Sequence, residues 1–344
     1  MVSLVSWLDQ LQRRRPSVGV PLAVVYKYID DQGAYLAVIL TYYAFIAIFP
    51  LMLIAATVLG FVLQGNPQLQ QDLLNSALSR FPIVGDQLGR PEGLNGSVSA
   101  VVVGTLAALY GALGLGQAAQ NALNVTWAIP RNSRLNPVAS RLRSLVLLTI
   151  GGMAVLTLAV TATLVSHLEI FGAQLSGWLS LAVTLVSAAF VAAVLSVVLA
   201  VGTSVRHRIR DVLPGAVVIA ALWQVLQSLG GLYVEHVIRK ASAMNGIFAL
   251  VLGLFGFLYL AATIAVLGFQ VNAVLAKRLY PRALLTPFTD AVDLTVADRR
   301  IYTEHAQAQR LKGFEQVCVT FDEEPEPAPA TPGTILPRPR GPEE

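Results

Sequence analysis

Six long runs without a single Asp, Glu, Lys or Arg dominate this sequence and leave few folds open to it. They extend from Leu36 to Leu63, Val98 to Leu123, Leu145 to Val165, Trp178 to Val201, Pro214 to Val234 and Ile247 to Ala276. Each supplies roughly the 20 mostly apolar residues that an α-helix needs to cross a bilayer. The whole chain is 55% hydrophobic and 13% charged, against about 25% charged residues in soluble domains. A soluble protein cannot hide that much apolar surface, whereas a membrane protein need not. The expected fold is all-α, a polytopic bundle of six transmembrane helices.

Basic residues set the expected orientation, because short cytoplasmic loops collect Lys and Arg. Arg13, Arg14, Arg15 and Lys27 precede the first run, and Arg131, Arg134, Arg141 and Arg143 follow the second. Arg206, Arg208 and Arg210 follow the fourth, and Lys277, Arg278 and Arg282 follow the sixth. Of the remaining loops, one offsets Arg80 and Arg90 with Asp72, Asp86 and Glu92, one has no basic residue, and one has Arg239 and Lys240. The alternation predicts both termini in the cytoplasm. It also accounts for the net charge of +4, so no nucleic-acid partner is expected.

The flanks differ from the 36–276 membrane domain. Residues 1–35 form a cytoplasmic segment in which Trp7, Leu8 and Leu11 precede three arginines. That pattern suits either an interfacial helix or a solvated leader helix. The first apolar run begins too late, and is too long, for a signal-peptide core. The stretch from Pro67 to Leu88 has the periodicity of short helices lying on the outer face. Residues 277–321 are a juxtamembrane segment, with either a helix through Ala297–Leu311 or a linker. Residues 322–344 hold seven prolines and several acids, a composition that remains disordered.

Little in the chain suggests an enzyme. Cys318 is the sole cysteine, and His167, His207, His236 and His305 lie far apart. No metal-ligand spacing, no cofactor motif and no catalytic constellation is visible. The informative residues are polar ones within the apolar runs, which must face a partner helix or water. In the first run these are Tyr42 and Tyr43, with Pro50 as a hinge or kink. Gln117, Gln120, Asn121 and Asn124 share one helical face after a small-residue stripe of Gly104, Ala108, Ala112 and Gly116. Gln224 and Gln227 lie in the fifth run, and Gln270 and Asn272 in the sixth, where Gly253, Gly256 and Gly268 permit close packing. Together they suggest either a polar, cytoplasm-facing cavity or interhelical hydrogen bonding.

Three segments carry a family resemblance: TYYAFIAIFPLML at 41–53, GALGLGQAAQNALNVTWAIPR at 111–131 and GFLYLAATIAVLGFQVNA at 256–273. Over about residues 20–285 the chain resembles the YihY/BrkB family of inner-membrane proteins, once named ribonuclease BN. The resemblance implies six membrane helices and a transporter-like role linked to envelope lipids. It marks Tyr42, Tyr43, Pro50, Gln117, Asn124, Trp127, Pro214, Trp223, Gly268 and Asn272. One position departs: the family commonly has a glutamate where this chain has Gln270. A mechanism that needs a carboxylate there is put in doubt.

The expected function is a transporter, or a lipid or amphiphile translocase, of the bacterial cytoplasmic membrane. Its partners would be membrane lipids and a lipid or small-molecule substrate, and the sequence leaves room for a homo-oligomer. The alternative is a non-transporting scaffold that recruits a partner through its Pro-rich tail. A ribonuclease is rejected, since no paired carboxylates or metal ligands stand in reach of one another.

Overall fold

The computed structural model describes residues 9, 11–62, 98–170, 177–233, 235–236, 243–284 and 292–321. Trp7 and Leu8, the 67–88 stretch, the acids and arginines of the first outer loop, Arg239 and Lys240, and the 322–344 tail lie outside these residues. The described residues form helices joined by turns, with no strand among them.

Eight helices position everything that follows. They are α1 (Pro16–Asp30), α2 (Gly33–Val62), α3 (Val98–Thr126), α4 (Pro137–Ile170), α5 (Gly177–Gly202), α6 (Ile209–Tyr233), α7 (Ala243–Lys277) and α8 (Val296–Ala308). Helices α2 to α7 coincide with the six apolar runs. Among the described residues, four segments are long and apolar enough to cross a membrane: Pro137–Leu158, Leu185–Gly202, Ile209–Tyr233 and Phe248–Lys277. A fifth arises if Pro16–Asp30 and Gly33–Ile48, which meet at a bend of 70°, count as one broken span. Much of the N-terminal half of α3 lies outside the described side chains.

Neighbouring helices run antiparallel. The starts of α2, α4 and α6 and the ends of α3, α5 and α7 gather at one end of the bundle, where α1 and α8 also lie. Hydrogen bonds tie that end together: Gln120 Nε2 donates to Ser144 Oγ (2.8 Å), Ser204 N to Asn124 Oδ1 (3.1 Å) and Lys277 Nζ to the Trp127 carbonyl (2.9 Å). The main core is at this end too, built from Leu36, Leu40, Leu123, Trp127, Leu199, Ile219, Val266 and Phe269.

Local chemistry explains where the helices stop. The N–H of Ile129 reaches back to the Asn124 carbonyl, and that of Leu279 to the Val274 carbonyl, both at 2.9 Å or less. These are Schellman closures, which need a left-handed residue that is usually glycine. Here the residues are Ala128 (φ 51°) and Arg278 (φ 53°). Both ends therefore hold backbone strain that the buried Ile129 and Leu279 offset. Helix α8 begins at a reciprocal cap: Thr295 Oγ1 accepts from Asp298 N (3.1 Å), and Asp298 Oδ2 accepts from Thr295 N (3.0 Å). It ends three residues short of the expected Leu311.

The small residues do not all act alike. A methyl at Gly116 would overlap Ser144 of α4, and one at Gly114 the Tyr43 ring, so these positions do bring helices close. Gly253 packs under Tyr233, and Gly268 against Ile219 and the Gly215 backbone. Gly256 does not share this role, because a methyl there would meet no atom within 4 Å. The shared spacing with Gly253 and Gly268 is misleading, as Gly256 points away from every described neighbour.

Candidate functional site

Between α4, α5 and α6 the helices leave a slot of about 330 Å³. Its wall runs from Leu147 to Leu158 on α4, roughly 16 Å of helix at 1.5 Å per residue. Val191, Val194, Leu195 and Val198 of α5 and Ile219, Ala220 and Trp223 of α6 complete an apolar lining. No charged residue lines it, and its polar side chains are Ser187, Gln224 and Gln227. Gly151 forms part of the wall, and a methyl there would meet nothing within 4 Å. The glycine thus leaves room that a larger side chain would fill.

The second feature is a charged knot at the end where α1 and α8 lie. Asp30 and Asp31 sit at the bend between α1 and α2. Asp31 accepts from Lys27 Nζ (2.7 Å) and Gln270 Nε2 (3.0 Å), and His305 Nδ1 stands 3.8 Å away. The Lys27 and Asp31 side chains are 5% and 1% exposed. Arg282 is fully buried, donating to Asp30 (2.9 Å) and to Asp298 of α8. Its guanidinium also lies over the rings of Tyr26 and Tyr302, at 5.7 and 5.9 Å. Glu304 accepts from Lys277 (2.7 Å) and Arg300 (3.1 Å). Burial pushes the Glu304 carboxyl up, but those two cations outweigh it and hold the group below its ordinary range. The Asp31 carboxylate holds His305 above the ordinary histidine value, against the opposing effect of burial. His207 stacks on Trp127 at 3.8 Å, and burial keeps it below the ordinary value. Among the described residues no three of His, Cys, Asp and Glu are grouped to hold a metal ion.

A family model described as virulence factor BrkB matches residues 24–290, more than half of the chain. The chain belongs to the virulence factor BrkB family. With its long apolar helices it is an integral membrane protein of that family. No curated protein and no solved structure matches it.

Within this BrkB-family chain the structure separates the polar residues singled out from the sequence. Gln224 and Gln227 line the slot. Four others bridge helices. Gln120 bonds Ser140 and Ser144 of α4, and Asn124 takes the Ser204 N–H at the end of α5. Asn272 accepts from Gly215 N (2.6 Å), and Gln270 donates to Asp31 and, more weakly, to Thr126. Asn121 is exposed and accepts from Arg134 Nη1 (3.1 Å), while Gln117 is half-buried on the same helix. Tyr42 is half exposed, and its ring meets Tyr43 edge-on at 5.2 Å. The Pro50 side chain lies outside the described ones. The ten candidates therefore do not share one chamber.

The structure also bears on the unusual Gln270. Its amide donates to a carboxylate that comes from Asp31, 239 positions away in sequence. A glutamate at 270 would set two carboxylates side by side, and one of them would have to take up a proton. Sequence reading missed the knot. Lys27 and Arg282 look like ordinary loop cations, and nothing local marks Asp30 or Asp31. The only legible trace is Thr295-x-x-Asp298, which reads as a helix start.

Proposed function

We propose that this chain is a lipid or amphiphile translocase of the bacterial cytoplasmic membrane, crossing it six times with both termini inside. The slot is the observation that carries this reading. It lies among three helices apolar enough to span a bilayer, its volume is at the low end for ligand sites (about 300–1,000 Å³), and it runs along the helix axes. That shape suits one extended acyl chain better than a compact solute. The two glutamines supply hydrogen bonds without fixed charge, as an amphiphile's neutral polar portion requires. The orientation is supported by Arg141, Arg143, Arg206, Arg208, Arg210 and Arg278, all at the α1/α8 end.

The direct test is movement of a fluorescent phospholipid between leaflets of liposomes containing the purified protein. Wild type should accelerate it. Gly151→Leu should remove most of the acceleration while leaving yield and thermal stability intact, because the added side chain enters empty space. No acceleration by well-incorporated wild type, or equal flipping by the variant, would count against the reading. Orientation has its own reporter in Cys318, the single cysteine, which is exposed. A membrane-impermeant maleimide should label it in inverted vesicles and not in intact cells; the reverse would overturn the assigned topology.

A further inference from the structure

Helix α8 is attached mainly by charge. Its buried residues are Ala297, Asp298, Ile301 and Ala308, so Ile301 is its one large buried apolar side chain. Ile301 packs with Ala23, Val24, Val274 and Leu279, and the half-buried Tyr302 lies against the same cluster; the other contacts are polar. Asp298 meets Arg282 and accepts from Ala283 N (2.8 Å), Glu304 meets Lys277, His305 faces Asp31, and Arg300 Nη1 donates to the Lys277 carbonyl (2.9 Å).

These contacts converge on one place. Asp30 is tied to α8 through Arg282 and Asp298, and Asp31 is tied to it directly through His305. The two acids are consecutive and form the bend, and Asp298 and His305 lie two turns apart on the same helix. The next residue, Gln32, has φ 54°, a left-handed conformation that a non-glycine residue holds only when its surroundings impose it. The bend is therefore over-determined by groups from α7, the chain after α7, and α8.

We propose that α8 is a releasable clamp on the α1–α2 bend: docked, it fixes the angle at which the chain enters the bundle, and undocked, it frees that angle. The responsive part of the attachment is the partly exposed one, Lys277–Glu304 and His305–Asp31, which salt and protons reach more readily than the buried Arg282–Asp298 pair. The groups acting on His305 and Asp31 are Lys27 and Asp30 of α1 and Gln270 of α7; one step further out, Gln270 also reaches Thr126 of α3, and Lys277 of α7 pairs with Glu304 of α8. Protonated His305 adds a cation against Asp31. Its value is raised on docking, so this contribution is complete below the ordinary histidine value of 6.5 and is lost as pH rises through the raised one. The clamp does not depend on whether the chain moves lipid.

Hydrogen exchange on the full-length protein in nanodiscs tests the coupling. His305→Gln keeps a polar side chain but cannot be charged, and its half-exposed site makes misfolding a small risk. Peptides covering 296–308 and those covering 28–35 should both exchange roughly threefold faster at pH 6, after correction for intrinsic rates. Peptides from α5 and α6 should not change, and the variant should lose the wild type's difference between pH 6 and pH 8. Glu304→Gln, which loosens α8 from Lys277 instead, should speed the same two segments. Faster exchange in 296–308 alone would show that α8 caps the bundle without controlling the bend. No change in either segment for both variants would equally overturn the proposal.

Discussion

Gly215→Ala is expected to destabilise the protein by about 1–3 kcal/mol, the usual cost of forcing one extra carbon into a packed core. The added methyl would collide with the Gly268 carbonyl and the Asn272 side chain. Neither can retreat cheaply. The carbonyl belongs to the α7 backbone, and Asn272 is fully buried and holds the Gly215 N–H at 2.6 Å. Pushing α6 off α7 also strands that N–H, and a buried donor without a partner costs about 1–3 kcal/mol more. Gly215→Leu should give no folded protein at all. Gly256→Ala is the matched control, since its methyl enters open space and replaces a poor helix former, worth about 1 kcal/mol in favour of the variant. Thermal unfolding of the detergent-purified proteins, followed by size-exclusion chromatography after heating, separates the cases. Equal melting of Gly215→Ala and wild type would mean that α6 and α7 do not meet at this seam.

Arg282→Leu is expected to cost about 3–5 kcal/mol, the range for removing one partner of a buried ion pair. The size of the effect comes from what is left behind. Asp298 is fully buried and Asp30 largely so, and both would lose their cation. Gln12 also donates to the Arg282 carbonyl, so the backbone there is part of the same arrangement. Adding Asp30→Asn and Asp298→Asn to the leucine variant should recover much of the loss, because the uncompensated charges are then gone. The same heating assay decides it. If the single variant melts with wild type, the buried pair does not form in the folded protein. If the triple variant is worse than the single one, the cost lies in packing against Tyr26 and Tyr302 rather than in charge.

Much of the fold was legible because membrane helices are specified locally. Every backbone hydrogen bond of such a helix is made within its own segment, so an uninterrupted apolar run is enough to announce it. The C-terminal helix stands open against a linker in the sequence, although Thr295 and Asp298, which cap it within one turn, are a local signal for it. The candidate site was less so. Gln224 and Gln227 stand three positions apart and face the slot together, as helical spacing predicts. Gln120, Asn124, Gln270 and Asn272 look the same in sequence, yet each is held by a neighbouring helix. Nothing within a helix tells an amide that lines a cavity from one that meets another helix.

By itself, then, the sequence determined six long helices and the end at which the basic residues collect, since both follow from residues close together in the chain. Only the tertiary structure decided which glycines are seams and which are vacant. It likewise decided which amides are already bonded and that Arg282, Asp30 and Asp298 form one buried group. Asp30 and Arg282 stand 252 positions apart. Their pairing depends on how whole helices lie against one another, and no local pattern of residues encodes that.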